Sequence, residues 1–171
     1  MNRILPLSRL IVFFLLTGLF NVLLSDEPTK QAQLAFRAGD FNKVVSLMNT
    51  AIEQDKSKPL YFKLRGYARY KLNRFDLAIA DYNEAEKLDK AKDETLFNNR
   101  GLAYARSGKC LLAIKDFEKA LQLKPRYGQA HLNLGNCHDM LGNKPKACLH
   151  YKKALTLRYP GAAQSLRRRC R

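Results

Sequence analysis

Residues 94–127 read ETLFNNRGLAYARSGKCLLAIKDFEKALQLKPRY. Gly101 sits inside the first half, Gly108 marks a turn, Ala113, Phe117 and Ala120 follow, and Pro125 closes the stretch. Glycine accepts the left-handed backbone that stops a helix, and a proline just beyond a helix prevents its continuation. Small residues at 101 and 113 let two antiparallel helices approach closely, and Ala120 leaves room for whatever packs next.

The same order recurs along the chain. Gly66, Gly101 and Gly135 are 35 and 34 residues apart. Ala78, Ala113 and Ala147 follow twelve residues after each glycine, and Ala85, Ala120 and Ala154 seven residues further on. Tyr82, Phe117 and Tyr151 stand between those alanines. A fixed period of this size marks stacked units that bury a shared core. This Gly…Ala…aromatic…Ala order over 34 residues resembles the tetratricopeptide repeat (TPR), a helix–turn–helix unit. The resemblance implies an all-α solenoid of about four repeats at 25–58, 59–92, 94–127 and 128–161, with Asp93 as a one-residue insertion. The first copy is the weakest, keeping Ala32, Gly39-Asp40-Phe41, Val44, Met48 and Ala51 at the corresponding places. Residues 162–171 read as a basic capping helix, with Ala163, Leu166 and Cys170 in one apolar stripe. Arg167, Arg168, Arg169 and Arg171 then face water.

Residues 1–25 differ in kind. Arg3 and Arg9 precede an apolar run from Leu10 to Leu24. The run is shorter than the roughly 20 residues that span a bilayer. A positive flank and a short apolar run are expected of a secretory signal peptide. Ser25 is small but Leu23 is not, so an uncleaved membrane anchor stays open. Either form points the body outward, to a bacterial periplasm or cell surface. Lys plus Arg number 31 against 15 acids, a net charge of +16. Such a chain attracts anionic surfaces at long range.

No nucleophile–base set, phosphate-cradling glycine loop or carboxylate pair is visible, so neither catalysis nor a cofactor nor a small-molecule substrate is expected. His131, Cys137, His138, Cys148 and His150 crowd together, but without metal-ligand spacing, and no metal site is expected of them. His131 and His138 fall on inward positions of their helix. The cysteines read as redox residues, because an exported chain meets an oxidising compartment. Cys148 and Cys170 come close to register on antiparallel neighbouring helices, which makes them the disulfide candidate. Cys110 and Cys137 do not match by the same count and read as buried thiols.

The family resemblance further implies a concave groove lined by the first helix of each repeat. The matching positions are Lys63, Leu64, Tyr67, Tyr70 and Lys71, then Asn98, Asn99, Leu102 and Arg106, then Gln129, Asn133, Asn136, Asp139 and Met140. Asn99 and Asn133 hold one place a repeat apart, where an amide can both donate to and accept from a peptide backbone. Family members that hold a chaperone's terminal carboxylate use a set of Lys, Asn and Arg. Lys63 and Asn99 match that set, whereas Tyr67, Gln129 and Asn133 depart from it, so that clamp is not expected. The expected function is a protein-binding adaptor for an acidic partner. The alternative is a basic surface that binds polyanions such as nucleic acid, glycan or anionic lipid.

Overall fold

The computed structural model describes residues 27–89 and 93–170. The expected export segment and Arg171 lie outside the described residues. Among the described residues there are nine helices and no strand. They are α1 (Glu27–Arg37), α2 (Phe41–Gln54), α3 (Pro59–Lys71), α4 (Phe75–Leu88), α5 (Glu94–Arg106), α6 (Cys110–Leu123), α7 (Gly128–Met140), α8 (Lys144–Thr156) and α9 (Ala162–Arg169). None is long and apolar enough to cross a membrane.

Local chemistry sets the helix ends. Asp40 caps α2 by accepting from Lys43 N, Asp93 caps α5 by accepting from Thr95 N and Leu96 N, and Asn143 caps α8 by accepting from Lys146 N. Pro59 and Pro145 occupy first-turn positions, where the missing N–H costs nothing. Each first helix ends through one left-handed residue: Gly39, Asn73, Gly108 or Gly142. The residue after it donates back into the helix, as Asp40 N to Ala35 O, Arg74 N to Arg69 O, Lys109 N to Tyr104 O and Asn143 N to His138 O. This reverse bond satisfies the orphan carbonyls and turns the chain tightly enough to start an antiparallel partner.

Paired helices then pack through the periodic small residues. Ala78, Ala113, Ala147, Ala85, Ala120 and Ala154 are all fully buried. The rings of Tyr82, Phe117 and Tyr151 lie under the three glycines; a Cβ built on Gly101 or Gly135 would stand 2.6 or 2.5 Å from a ring carbon. In the first pair Val44, Met48 and Ala51 do the same work. Each second helix packs on the next first helix, and successive first helices also touch (α1 with α3, α3 with α5, α5 with α7). That arrangement draws the first helices to the inside of the curve. The fold is an α-solenoid of four helix–turn–helix pairs closed by a capping helix.

The cap differs in detail from its expected stripe. Ala162 is its fully buried residue, while Ala163, Leu166 and Cys170 are half-buried, and Cys170 stands at the C-cap. Helix α9 packs on α8, and Cys148 is joined to Cys170 with a Cα–Cα distance of 5.7 Å. Arg158 and Gly161 take left-handed backbone in the connection between them.

Candidate functional site: the concave groove

At its N-terminal end the groove is aromatic. Phe36 of α1 packs on Tyr67 of α3 at 5.1 Å between centroids, Tyr67 on Tyr70 at 6.3 Å, and Tyr70 on Phe75 at 5.8 Å. All four rings are half-buried, so each keeps an exposed edge. Such rings supply contact area at low conformational cost. The cation Arg106 lies over Phe75 and Lys71 over Phe41, which places charge at the rim of this platform.

Farther along, amides replace rings. Asn99 is half-buried; Asn98 Nδ2 donates to its Oδ1 at 3.3 Å. Asn133 Nδ2 donates to Asn98 Oδ1 at 3.1 Å, linking α5 to α7. Asn136 is exposed and accepts from the Tyr151 hydroxyl at 3.0 Å. Gln129 is half-buried beside Tyr127, whose hydroxyl it accepts at 3.5 Å. Leu102 packs over the small core cluster of Cys110, Phe117 and Leu134.

Two expected groove residues behave differently. Asn98 is 0% exposed and forms part of the floor, because Asn133 covers it from the next repeat. Its amide holds two first helices together rather than facing a ligand. Lys63 is bound within the chain by Asp93 at 2.9 Å and Asp89 at 3.1 Å. Burial by itself lowers the Lys63 pKa, but its bonds to Asp93 and Asp89 outweigh this and hold it above the usual lysine value. A cation so engaged is a poor partner for an incoming carboxylate.

Cys110 and Cys137 are buried free thiols, as expected, and they pack in one core cluster.

Sequence reasoning missed the ionic ladder behind the groove. Arg65 forks onto Asp81 and reaches Asn49, while Arg69 reaches the other Asp81 oxygen at 2.7 Å. One repeat on, Arg100 forks onto Asp116 and also bonds Asn83 and Glu86. Burial opposes the Arg100 charge, yet Asp116 and Glu86 raise its pKa above the ordinary value, so it stays a cation. The signal was available: Arg-Gly at 65–66 and 100–101 and Asp-aromatic at 81–82 and 116–117 share a 16-residue spacing.

The histidines form a column between α7 and α8, with His150 5.4 Å from His131 and 5.7 Å from His138, ring planes nearly parallel. His131 Nε2–H faces Pro125 O at 3.3 Å, which leaves its Nδ1 to accept from His150 Nδ1–H at 3.2 Å. Two nitrogens already sharing a proton do not make a chelate. Among the described residues no group of three His, Cys, Asp or Glu is placed to hold a metal.

Comparison with known proteins places this geometry. Residues 93–159 match the family described as Tetratricopeptide repeat, and residues 66–108 match that described as TPR repeat. The chain is 33% identical over 95 residues to the Hsp70-Hsp90 organizing protein of Triticum aestivum, covering 56% of this chain and 16% of that one. It is 25% identical over 120 residues to human serine/threonine-protein phosphatase 5, covering 70% and 24%. It thus spans a quarter or less of the length of these relatives. Among solved structures, MamA superposes with a TM-score of 0.73 at 21% identity over 78% of each chain, a likeness of fold. The first TPR of Spaghetti (RPAP3), bound to the HSP90 peptide SRMEEVD, superposes with a TM-score of 0.63 at 28% identity over 68% of this chain and 93% of that one. The two family matches together run from residue 66 to 159, and the chain belongs to the tetratricopeptide-repeat family.

Proposed function

We propose that this protein is a non-catalytic adaptor, exported to a bacterial periplasm or cell surface, that docks an extended segment of an acidic partner polypeptide in its concave groove. The observation that carries this reading is the continuous inner surface. Half-buried rings Phe36, Tyr67 and Tyr70 give way to Asn99 and Asn133, with Arg106 and Lys71 at the rim. Rings anchor side chains, and amides serve backbone donors and acceptors alike. The acidic preference rests on the net charge of +16, since many of the 15 acids are already engaged by cations of this chain. Export rests on the Arg3 and Arg9 flank and the apolar run from Leu10 to Leu24.

The TPR of Spaghetti holds an HSP90 peptide, and this groove is built for a different ligand. Lys63 is engaged by Asp89 and Asp93, and Tyr67 stands where the carboxylate clamp needs an amide. The peptide SRMEEVD should therefore bind no better than a scrambled control. The positive test is capture from the native envelope by wild type and by the Tyr70→Ala, Asn99→Ala double variant. Loss of one identified partner with unchanged helicity supports the groove; equal capture by both refutes it.

A second reading, a polyanion-binding surface, is favoured by one observation. Beyond Lys119 the chain holds eleven Lys and Arg and a single acid, Asp139, which pairs with Arg169. Salt separates the two readings, because phosphate-type contacts lose affinity steeply between about 50 and 200 mM. Groove docking on rings and amides should lose less.

A further inference from the structure

At two junctions between repeats, a ring opening the second helix is covered by a cation closing the next first helix. Lys71 Nζ lies 5.5 Å from the Phe41 centroid, and Arg106 Cζ lies 5.7 Å from that of Phe75. The third junction replaces this pair with sulfur. Cys110 takes the place of the ring and Met140 that of the cation, while Cys137 stands where α3 and α5 carry Ala68 and Ala103. The three lie together: the Cys110 thiol donates to Met140 Sδ at 3.7 Å, and Cys137 packs in the same buried cluster as Cys110. Both thiols are buried, at 4% and 1% exposure, against Ala113, Phe117 and Leu134, whereas Met140 is 64% exposed above them.

We propose that Cys110, Cys137 and Met140 form a binding site for a soft monovalent metal ion, Cu(I), in three-coordinate sulfur ligation. Thiolate and thioether donors select Cu(I) over oxygen-seeking cations. Three sulfurs each about 2.3 Å from a central ion in one plane stand about 4 Å apart, close to the 3.7 Å between Cys110 and Met140. On binding, the two S–H bonds break, two Cu–S bonds form, both protons leave to solvent, and the Met140 sulfur adds a lone pair. No electron is transferred. Both cysteines bind as thiolates, so the affinity falls as pH falls. Met140, exposed at the end of α7, is the entrance.

The test uses the full chain, with the Cys148–Cys170 bond intact, under anaerobic conditions. Cu(I) is titrated against the chromophoric competitor bicinchoninate, with Ag(I) as a redox-inert control. One equivalent should bind per chain with release of about two protons and a sulfur-only shell by X-ray absorption. Cys137→Ala and Met140→Arg install what the other repeats carry, so both should fold. They should weaken binding by about a hundredfold and about tenfold respectively. Absence of binding in competition, or equal binding by both variants, overturns the site. So does isolation of the wild type with Cys110 and Cys137 bonded to each other, which would make the pair a second disulfide.

Discussion

Replacing Gly135 with alanine sets two effects of known sign against each other. In a helix interior the change should gain about 1 kcal/mol, because glycine gives up more backbone freedom than any other residue on folding. The new Cβ, however, would stand 2.5 Å from both Cδ1 and Cε1 of Tyr151 and 3.2 Å from Ala147 O. The Tyr151 ring is 1% exposed, and its hydroxyl is tied to Asn136, so it has nowhere to slide. Helices α7 and α8 must part instead, and overpacking of that kind costs about 1–3 kcal/mol. With carbons this close the upper part of that range applies, leaving a net loss of about 1–2 kcal/mol. Gly66 is the internal control. Its Cβ would lie 3.2 Å from Tyr82 Cε1 and from Asp81 Cβ and 3.3 Å from Ala78 O, and the Tyr82 hydroxyl makes no hydrogen bond within the chain. A shift of a few tenths of an ångström between α3 and α4 relieves these contacts, so Gly66→Ala should remain within about 0.5 kcal/mol of wild type. Urea denaturation of the full chain, followed by far-ultraviolet circular dichroism, reads both. A Gly135→Ala protein as stable as wild type, or a Gly66→Ala protein less stable by more than about 0.5 kcal/mol, refutes the packing account.

Asp116→Ala should cost about 3 kcal/mol, because it breaks the two-bond fork of a cation at 6% exposure and leaves it only the Glu86 carboxylate and Asn83; a melting temperature near wild type would contradict the ladder. Cys170→Ser opens a loop of 22 residues, for which chain entropy predicts a loss of about 3 kcal/mol; reductant should abolish its difference from wild type, and Cys148 should then alkylate. The histidine column should make the protein acid-sensitive. Burial, with the neighbouring His131 and His138, lowers the His150 pKa to about 4, and His131 and His138 are shifted down as well. A folded pKa below the unfolded value of about 6.5 contributes stability that is present above pH 6.5 and lost as pH falls toward 4. His150→Gln should flatten the fall in melting temperature over that window, and an unchanged slope would remove the column from the acid response.

How much of this was legible in the sequence depended on the range of the interaction. Helix ends and turns are local, so Gly39, Asn73, Gly108 and Gly142 announced them, and the 34-residue period announced which helices pair. Depth within the groove is not local. Asn98 and Lys63 occupy the same repeat position, yet one is buried by Asn133 and the other is held by Asp89 and Asp93. That difference comes from Asn133 of the following repeat in one case, and from Asp89 and the inserted Asp93 beyond the second helix in the other, none of which the repeat pattern specifies. The buried Arg–Asp forks carried a repeating signal, but charged residues are ordinarily read as solvated until a partner at fixed spacing is sought.

The claim that the inner surface is the binding surface is tested most directly by site-resolved photo-crosslinking in the full chain. A photoreactive residue is placed at Asn99 or Arg106 on α5, and at exposed Lys115 on α6 or Lys152 on α8 as outer controls. The account predicts that Asn99 and Arg106 both crosslink to one stretch of the same partner, rich in acidic residues, and that Lys115 and Lys152 do not. Crosslinks confined to Lys115 and Lys152 would contradict it.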